Sequence, residues 1–227
     1  RVAKAAAVAE RPKDRFIWEE KFDAAVRDMR FIPAGRILAG AGSGRAVTLF
    51  NCFVMGTIPD SLEGIFEHLK QAALTMQQGG GVGMDFSTIR PKGAVVHGVG
   101  SDASGPLSFM DCWDAMCRTV HSAGARRGAM MGCLRIDHPD IEAFIDAKRD
   151  PVRFRNFNLS VLVTDAFVAA VRARAPWPLV FGGKTVKTVE AADLWARLMQ
   201  ATYDVERPLV ANVYVLARFD KLVSIQQ

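Results

Sequence analysis

Apolar residues first recur at helical spacing between Trp18 and Met29, where Phe22, Ala25, Val26 and Met29 share a side before Pro33 ends the run. Residues 31–44 are rich in glycine and read as loop. Residues 47–55 are apolar and β-prone, a strand. Asp60-Ser61-Leu62-Glu63 has the spacing of a capping box, with Asp60 as the N-cap. The helix it opens carries Ile65, Leu69, Ala72, Ala73 and Met76 on one face. A short strand follows at 82–86, a Gly/Ser loop at 98–105, a helix at 107–120, a second loop at 122–128 and a strand at 130–136. Pro139 marks a helix start, with Asp140 and Glu142 in its first turn where the dipole favours acids, and that helix runs to about Lys148. The pattern then predicts strand 156–164, helix 165–174, strand 179–181 and helix 190–203. Strands alternate with helices throughout, which predicts an α/β protein with a largely parallel sheet, open or closed into a barrel.

Composition narrows this little. The chain has 227 residues, half of them hydrophobic and 23% charged, ordinary for a globular domain. No apolar run approaches the roughly 18–20 residues of a membrane span. The apolar start is short and interrupted by Lys4, unlike a signal peptide, and it opens on Arg1, as a start within a longer chain does. The net charge of +5 comes from scattered bases. That suits small phosphorylated ligands better than a nucleic-acid duplex. Cys52, Cys112, Cys117 and Cys133 form no C-x-x-C pair, which argues against a zinc site or a disulfide framework and for a reduced, cytoplasmic protein.

Candidate chemistry gathers at few places. Cys52 stands alone among Leu49, Phe50 and Phe53. It is either a buried small hydrophobe or a redox thiol whose partner comes from a distant segment. Gly79-Gly80-Gly81-Val82-Gly83 closes a helix and opens a strand. One or two glycines serve as a helix cap, and four leave bare main chain that a ligand can approach. The order helix-loop-strand excludes a P-loop and a dinucleotide fingerprint. Arg90, Arg126 and Arg127 are candidate phosphate contacts. Asp60 has an oxygen to spare for a ribose hydroxyl. The four histidines are scattered and read as structural, and Cys112 and Cys117 read as core thiols.

The segments 31–36 (Phe-Ile-Pro-Ala-Gly-Arg), 48–53, 77–91, 104–109 (Ser-Gly-Pro-Leu-Ser-Phe), 122–131, 137–144 and 156–161 (Asn-Phe-Asn-Leu-Ser-Val) together resemble, in order, the adenosylcobalamin-dependent (class II) ribonucleotide reductases. The resemblance runs from about Phe31 to Tyr203 and fades after about Asp204. It implies a ten-stranded α/β barrel made of two parallel five-stranded halves around a finger loop. This chain would supply the first half: a helical and loop segment at 1–45, the half-barrel at 46–204, and a divergent or truncated end at 205–227. The implied activity is radical reduction of the ribose 2′ position of a ribonucleotide for DNA synthesis. It implies adenosylcobalamin as cofactor, a deoxynucleoside triphosphate effector, a thioredoxin-like or dithiol reductant, and a homodimer when complete.

By the same resemblance Cys52 is the first cysteine of the reducing pair, and Asn51, Gly80 and Gly81 line the substrate ribose. Asp60, Ser61 and Arg90 belong to the effector site, and residues 122–131, with Arg126 and Arg127, report the bound effector to the substrate. The family's radical cysteine lies in Asn-x-Cys-x-Glu, and no cysteine here has Glu two residues later. The radical residue, the general acid/base Glu, the second reducing cysteine and the substrate phosphate loop have no counterpart in these residues. His97 stands where the family usually has Lys or Arg. No turnover is therefore expected from these 227 residues alone. A non-catalytic deoxynucleotide-binding module and a degenerate remnant are the alternative readings.

Overall fold

The computed structural model describes residues 1–96, 100–120, 129–150, 152–205 and 213–217. Three short helices open the chain: α1 (Val2–Ala7), α2 (Arg15–Arg27) and α3 (Gly35–Gly40). Strand β1 (Cys52–Thr57) leads to α4 (Leu62–Gln77) and β2 (Gly81–Asp85). A two-strand ladder, β3 (Val95–Val96) with β4 (Ser101–Asp102), precedes α5 (Pro106–Thr119) and β5 (Met130–Arg135). Then come α6 (Ile141–Asp146) with a 3₁₀ turn at Ala147–Arg149, β6 (Phe157–Val163) and α7 (Asp165–Ala173). The hairpin β7 (Pro176–Phe181) and β8 (Lys184–Glu190), α8 (Ala191–Val205) and β9 (Val213–Ala217) complete it.

The main sheet has five strands in the order β1-β2-β5-β6-β9, and every pair is parallel. One face carries Val82 and Met84 of β2 with Phe86 just after it, Met130 and Leu134 of β5, and Phe157, Leu159 and Val161 of β6, all buried in one cluster with the helices. Side chains alternate across a strand, so residues 81, 83 and 85 lie on the other face, level with Cys52 and Val54 of β1. The core is aromatic at its centre. Phe86 meets Trp113 of α5 edge-on at 5.3 Å and Phe157 at 6.1 Å, and Phe157 meets Phe154 at 5.9 Å.

Helix α4 shows how local sequence sets the frame. Ser61 is its N-cap, with Oγ accepting from the Gly64 amide at 3.1 Å. Its core face is Ile65, Ala72 and Met76, with Leu69 packed alongside. It ends in a Schellman pair: the Gly79 amide donates to Met76 O at 2.8 Å and the Gly80 amide to Thr75 O at 3.1 Å. Gly79 has φ +90°, where a side chain is strained.

The structure corrects several expectations. Asp60 is not the cap of α4; Ser61 takes that place, because the Asp60 carboxylate is drawn to Arg90. The first strand begins at Cys52, since the preceding residues are held to the end of α4 through Thr48 N to Gln78 O, 3.0 Å. A helix stands at Gly35–Gly40 within the expected loop, and α1 precedes the first expected helix. Strict alternation of strand and helix breaks at β7 and β8, which form an antiparallel hairpin. Its tip is Gly182-Gly183 with φ +56° and +76°, the two-residue turn that favours glycine. The hairpin rests on the end of β5, with Trp177 Nε1 donating to Ile136 O at 3.3 Å.

Candidate functional site

The residues singled out in the sequence fall into two groups at opposite ends of the parallel sheet. Cys52 opens β1 and is in register with Gly81, which opens β2. The Gly81 amide donates to Asn51 O at 2.8 Å, so Asn51, Cys52 and Gly81 form one surface, with Gly80 buried beside it. A Cβ built on Gly81 would stand 3.5 Å from Cys52 Sγ and 3.4 Å from Ala129 O. Cys52 is an exposed free thiol, not the buried hydrophobe that its apolar neighbours suggest. Gly80 has a different reason to be glycine. A Cβ there would meet the Phe53 ring at 2.7 Å, so the position is closed by packing. Arg36 donates to Gly79 O, tying α3 to the glycine loop, a role that the sequence reading did not assign.

The other cysteines are poor partners for this thiol. Cys133 faces the same side of the sheet but is level with Asp85, four residues further along and two strands across. At about 3.3 Å per residue and 4.8 Å per strand, the two Cα atoms are roughly 16 Å apart, and a disulfide needs about 4.4–6.8 Å. Burial pushes the Cys133 thiol up to about 12 and Cys117 up to about 11. Cys117 is buried in the core, while Cys112 is only half-buried.

The second group lies beyond the far end of β1 and β2, about 17 Å from Cys52 along a six-residue strand. Arg90 Nε donates to Asp60 Oδ2 at 2.9 Å, the Arg90 amide to Oδ1 at 3.1 Å, and Nη2 to the Asp60 carbonyl at 3.3 Å. Thr88 Oγ1 donates to Ile58 O and ties the same two loops. The residues expected to touch ribose and phosphate are thus fastened to each other. Ser61 stands beside them as the helix cap. Arg126 and Arg127 lie outside the described residues, as do Ser122, His97 and His121.

This end also holds a relay that no sequence motif signals. Ser87 Oγ donates to Asp85 Oδ1 and accepts the Arg135 amide at 2.8 Å, while Arg135 Nε donates to Asp137 Oδ1 at 2.8 Å. His138 is buried, with Nε2 2.9 Å from Ile89 O and Nδ1 accepting the Asp140 amide. Burial lowers its pKa. A cavity of about 330 Å³ opens between Ser87, Arg135, Asp137, His138 and Phe181. Asp140, expected to serve the helix dipole, is the N-cap residue of α6 and turns its carboxylate to the Lys92 amide at 2.9 Å. His68 lies with Nε2 3.1 Å from Met55 O, so each of the two described histidines has a ring nitrogen against a main-chain carbonyl.

A sequence model of the ribonucleotide reductase barrel domain matches residues 50–216. The chain belongs to the ribonucleotide reductase family. The match runs past Asp204 and takes in most of β9. The parallel sheet with helices packed on one face is part of this family's α/β barrel. Among relatives, the vitamin B12-dependent ribonucleoside-diphosphate reductase of Mycobacterium tuberculosis (strain H37Rv) is 41% identical over 189 residues, 82% of this chain and 26% of that protein. The protein of the same name from Thermoplasma acidophilum is 35% identical over 198 residues, covering 83% of this chain and 25% of its own length. The ribonucleoside-diphosphate reductase large subunit of vaccinia virus (strain Copenhagen) is 30% identical over 155 residues, 66% of this chain. The chain spans about a quarter of the length of the B12-dependent relatives it matches. Among the described residues no helix is long and apolar enough to cross a membrane.

Proposed function

We propose that this chain forms the first half of the catalytic barrel of a vitamin B12-dependent ribonucleotide reductase and acts within a longer protein in the cytoplasm. The half-barrel would begin near residue 46 and run past the expected end at 204 to take in β9, its fifth strand. The observation that carries this reading is the exposed Cys52 thiol in register with Gly81, at the edge of a parallel sheet that the family model covers. In the proposed reaction two thiols, Cys52 and a cysteine from beyond these residues, become a disulfide. Their two electrons and two protons replace the ribose 2′-hydroxyl by hydrogen and release water. A dithiol or thioredoxin-like protein then reduces the disulfide.

Asn51 and the bare main chain of Gly80 and Gly81 would seat the ribose beside the thiol. Asp60, Ser61 and Arg90 would take the deoxynucleoside triphosphate effector, with Arg126 and Arg127 in the segment that follows α5. Binding there requires part of the Asp60–Arg90 contact to be exchanged for ribose and phosphate contacts, a differential that an effector can exploit. The dimer of the complete protein belongs to the same reading.

Adenosylcobalamin would supply the radical. Among the described residues, His68 Nε2 and both ring nitrogens of His138 are held by main-chain groups, so these atoms are not open to ligate cobalt. No step of the reading depends on how the cofactor sits. The test is turnover by the full-length protein with adenosylcobalamin, a ribonucleoside diphosphate, a deoxynucleoside triphosphate and dithiothreitol. Formation of 2′-deoxynucleotide, abolished by Cys52→Ser, is expected, and the 227-residue chain alone should give none. A full-length Cys52→Ser protein that turns over with a thioredoxin-type reductant at the unsubstituted rate overturns the role given to Cys52.

A further inference from the structure

Two charged side chains lie buried in the core. Asp114 of α5 is 4% exposed and Lys148, after α6, is 7% exposed. A buried carboxylate is costly unless its oxygens are satisfied. Asp114 Oδ1 accepts the Asn156 amide at 3.1 Å and Asn156 Nδ2 at 3.0 Å. Lys148 Nζ donates to the carbonyl of Phe154, which also accepts the Phe157 amide at 3.0 Å. Phe154 is buried with φ +53°, a conformation that needs such fastening. Arg153 adds a forked contact to Asp111 of α5, with its nearer oxygen at 2.8 Å.

The far side of Asn156 reaches the candidate ribose surface. Its carbonyl accepts the Met130 amide at 3.0 Å, at the start of β5. The neighbouring Ala129 carbonyl accepts the Val82 amide at 3.3 Å, and the Gly81 amide reaches Asn51 O at 2.8 Å. One line of hydrogen bonds therefore crosses the starts of β6, β5, β2 and β1, with Asp114 as its buried end.

We propose that Asp114 and Asn156 are positioning residues for the Cys52 surface, fixing the level at which these four strands begin and so the place of Gly81 beside Cys52 Sγ. This rests on the reading of Asn51, Cys52, Gly80 and Gly81 as the ribose site. A charged anchor suits the task because its contact is directional, whereas apolar packing alone tolerates sliding.

The test compares Asn156→Ala, the milder Asn156→Ser, and Asp114→Asn, which keeps the Oδ1 acceptor, in the full chain. Three readouts are taken: the rate of Cys52 alkylation by iodoacetamide, the Kd for a ribonucleoside diphosphate, and the Kd for a deoxynucleoside triphosphate. With the Asn156 side chain gone the four strand starts are held less firmly, and Asn156→Ala is expected to weaken the ribonucleotide Kd roughly tenfold, about 1.4 kcal/mol. The Cys52 alkylation rate should change at least about threefold, and the deoxynucleotide Kd by less than about twofold, since that site is at the other end of the sheet. Asn156→Ser should fall between, and Asp114→Asn should leave both readouts near those of the unsubstituted protein. Unchanged alkylation and unchanged ribonucleotide Kd in Asn156→Ala, whatever its thermal stability, overturn the proposal. If the unsubstituted protein binds no ribonucleotide, the ribose-site reading fails, and the alkylation rate alone still decides the positioning role.

Discussion

The two ends of the parallel sheet solve opposite problems. At the end where β1 and β2 begin, the chain offers an exposed thiol, a row of main-chain groups and Gly81, which places no side chain beside the sulfur. At the end where they finish, the charged side chains are already spent on one another. Asp60 holds Arg90 through three contacts, Arg135 holds Asp137, and both ring nitrogens of His138 are engaged. A surface that must admit a ligand close to a reactive atom has to be bare. A surface that changes its contacts when a ligand binds has to be made of contacts that can be exchanged.

The sharpest way to break this contrast is to ask whether the thiols differ as their settings do. At pH 8 a thiol pushed up to about 12 is ionised in about one molecule in ten thousand, so Cys133 should react with iodoacetamide about four orders of magnitude more slowly than if fully ionised, before burial slows it further. Mass spectrometry of the native protein should find Cys52 alkylated first and Cys133 unmodified. Equal labelling of the two would remove the difference between exposed and buried thiols.

Next in size is the pair Gly80 and Gly81. Gly80→Ala forces a methyl group against the Phe53 ring and should cost about 1–3 kcal/mol in urea unfolding. Gly81→Ala meets only ordinary contacts at 3.4–3.5 Å, so it should cost less than about 1 kcal/mol while slowing Cys52 alkylation. The reverse ranking would mean that Gly81, not Gly80, is fixed by packing.

At the other end, Asp60→Ala removes the two carboxylate acceptors of the half-buried Arg90, leaving it the residue-60 carbonyl, and should cost about 1–2 kcal/mol, again by urea. A further measurement tests the buried anchor through pH. Burial lowers Lys148 from 10.5 to about 8. Between these values the unfolded chain holds a proton that the folded one has released, so stability rises with pH across that window and the penalty is present in full below it. The slope contributed is at most about 1.4 kcal/mol per pH unit. Lys148→Met should flatten this rise between pH 8 and 10, although it also leaves the Phe154 carbonyl with one donor fewer.

Much of this architecture was legible because periodicity and caps agree locally. Helix α4 shows its core face in Ile65, Ala72 and Met76, and the extra glycines after it signal a close approach of backbone. Three features were not legible. The exposure of Cys52 depends on β1 being an edge strand whose second face is open, which its apolar neighbours disguise. The choice between Asp60 and Ser61 as cap is settled by Arg90, 30 residues away, which no local rule anticipates. Strand β8 was missed although Gly182-Gly183 between β-prone runs is a hairpin signal, because its twofold Lys-Thr-Val repeat lies on an exposed ribbon with little hydrophobic contrast.

The central claim, one site at each end of the sheet, is tested most directly by hydrogen exchange of the full-length protein with each ligand in turn. A ribonucleoside diphosphate should slow exchange at residues 51–53 and 80–83, and a deoxynucleoside triphosphate at residues 58–64 and 87–92. Protection of the same end by both ligands would contradict the account.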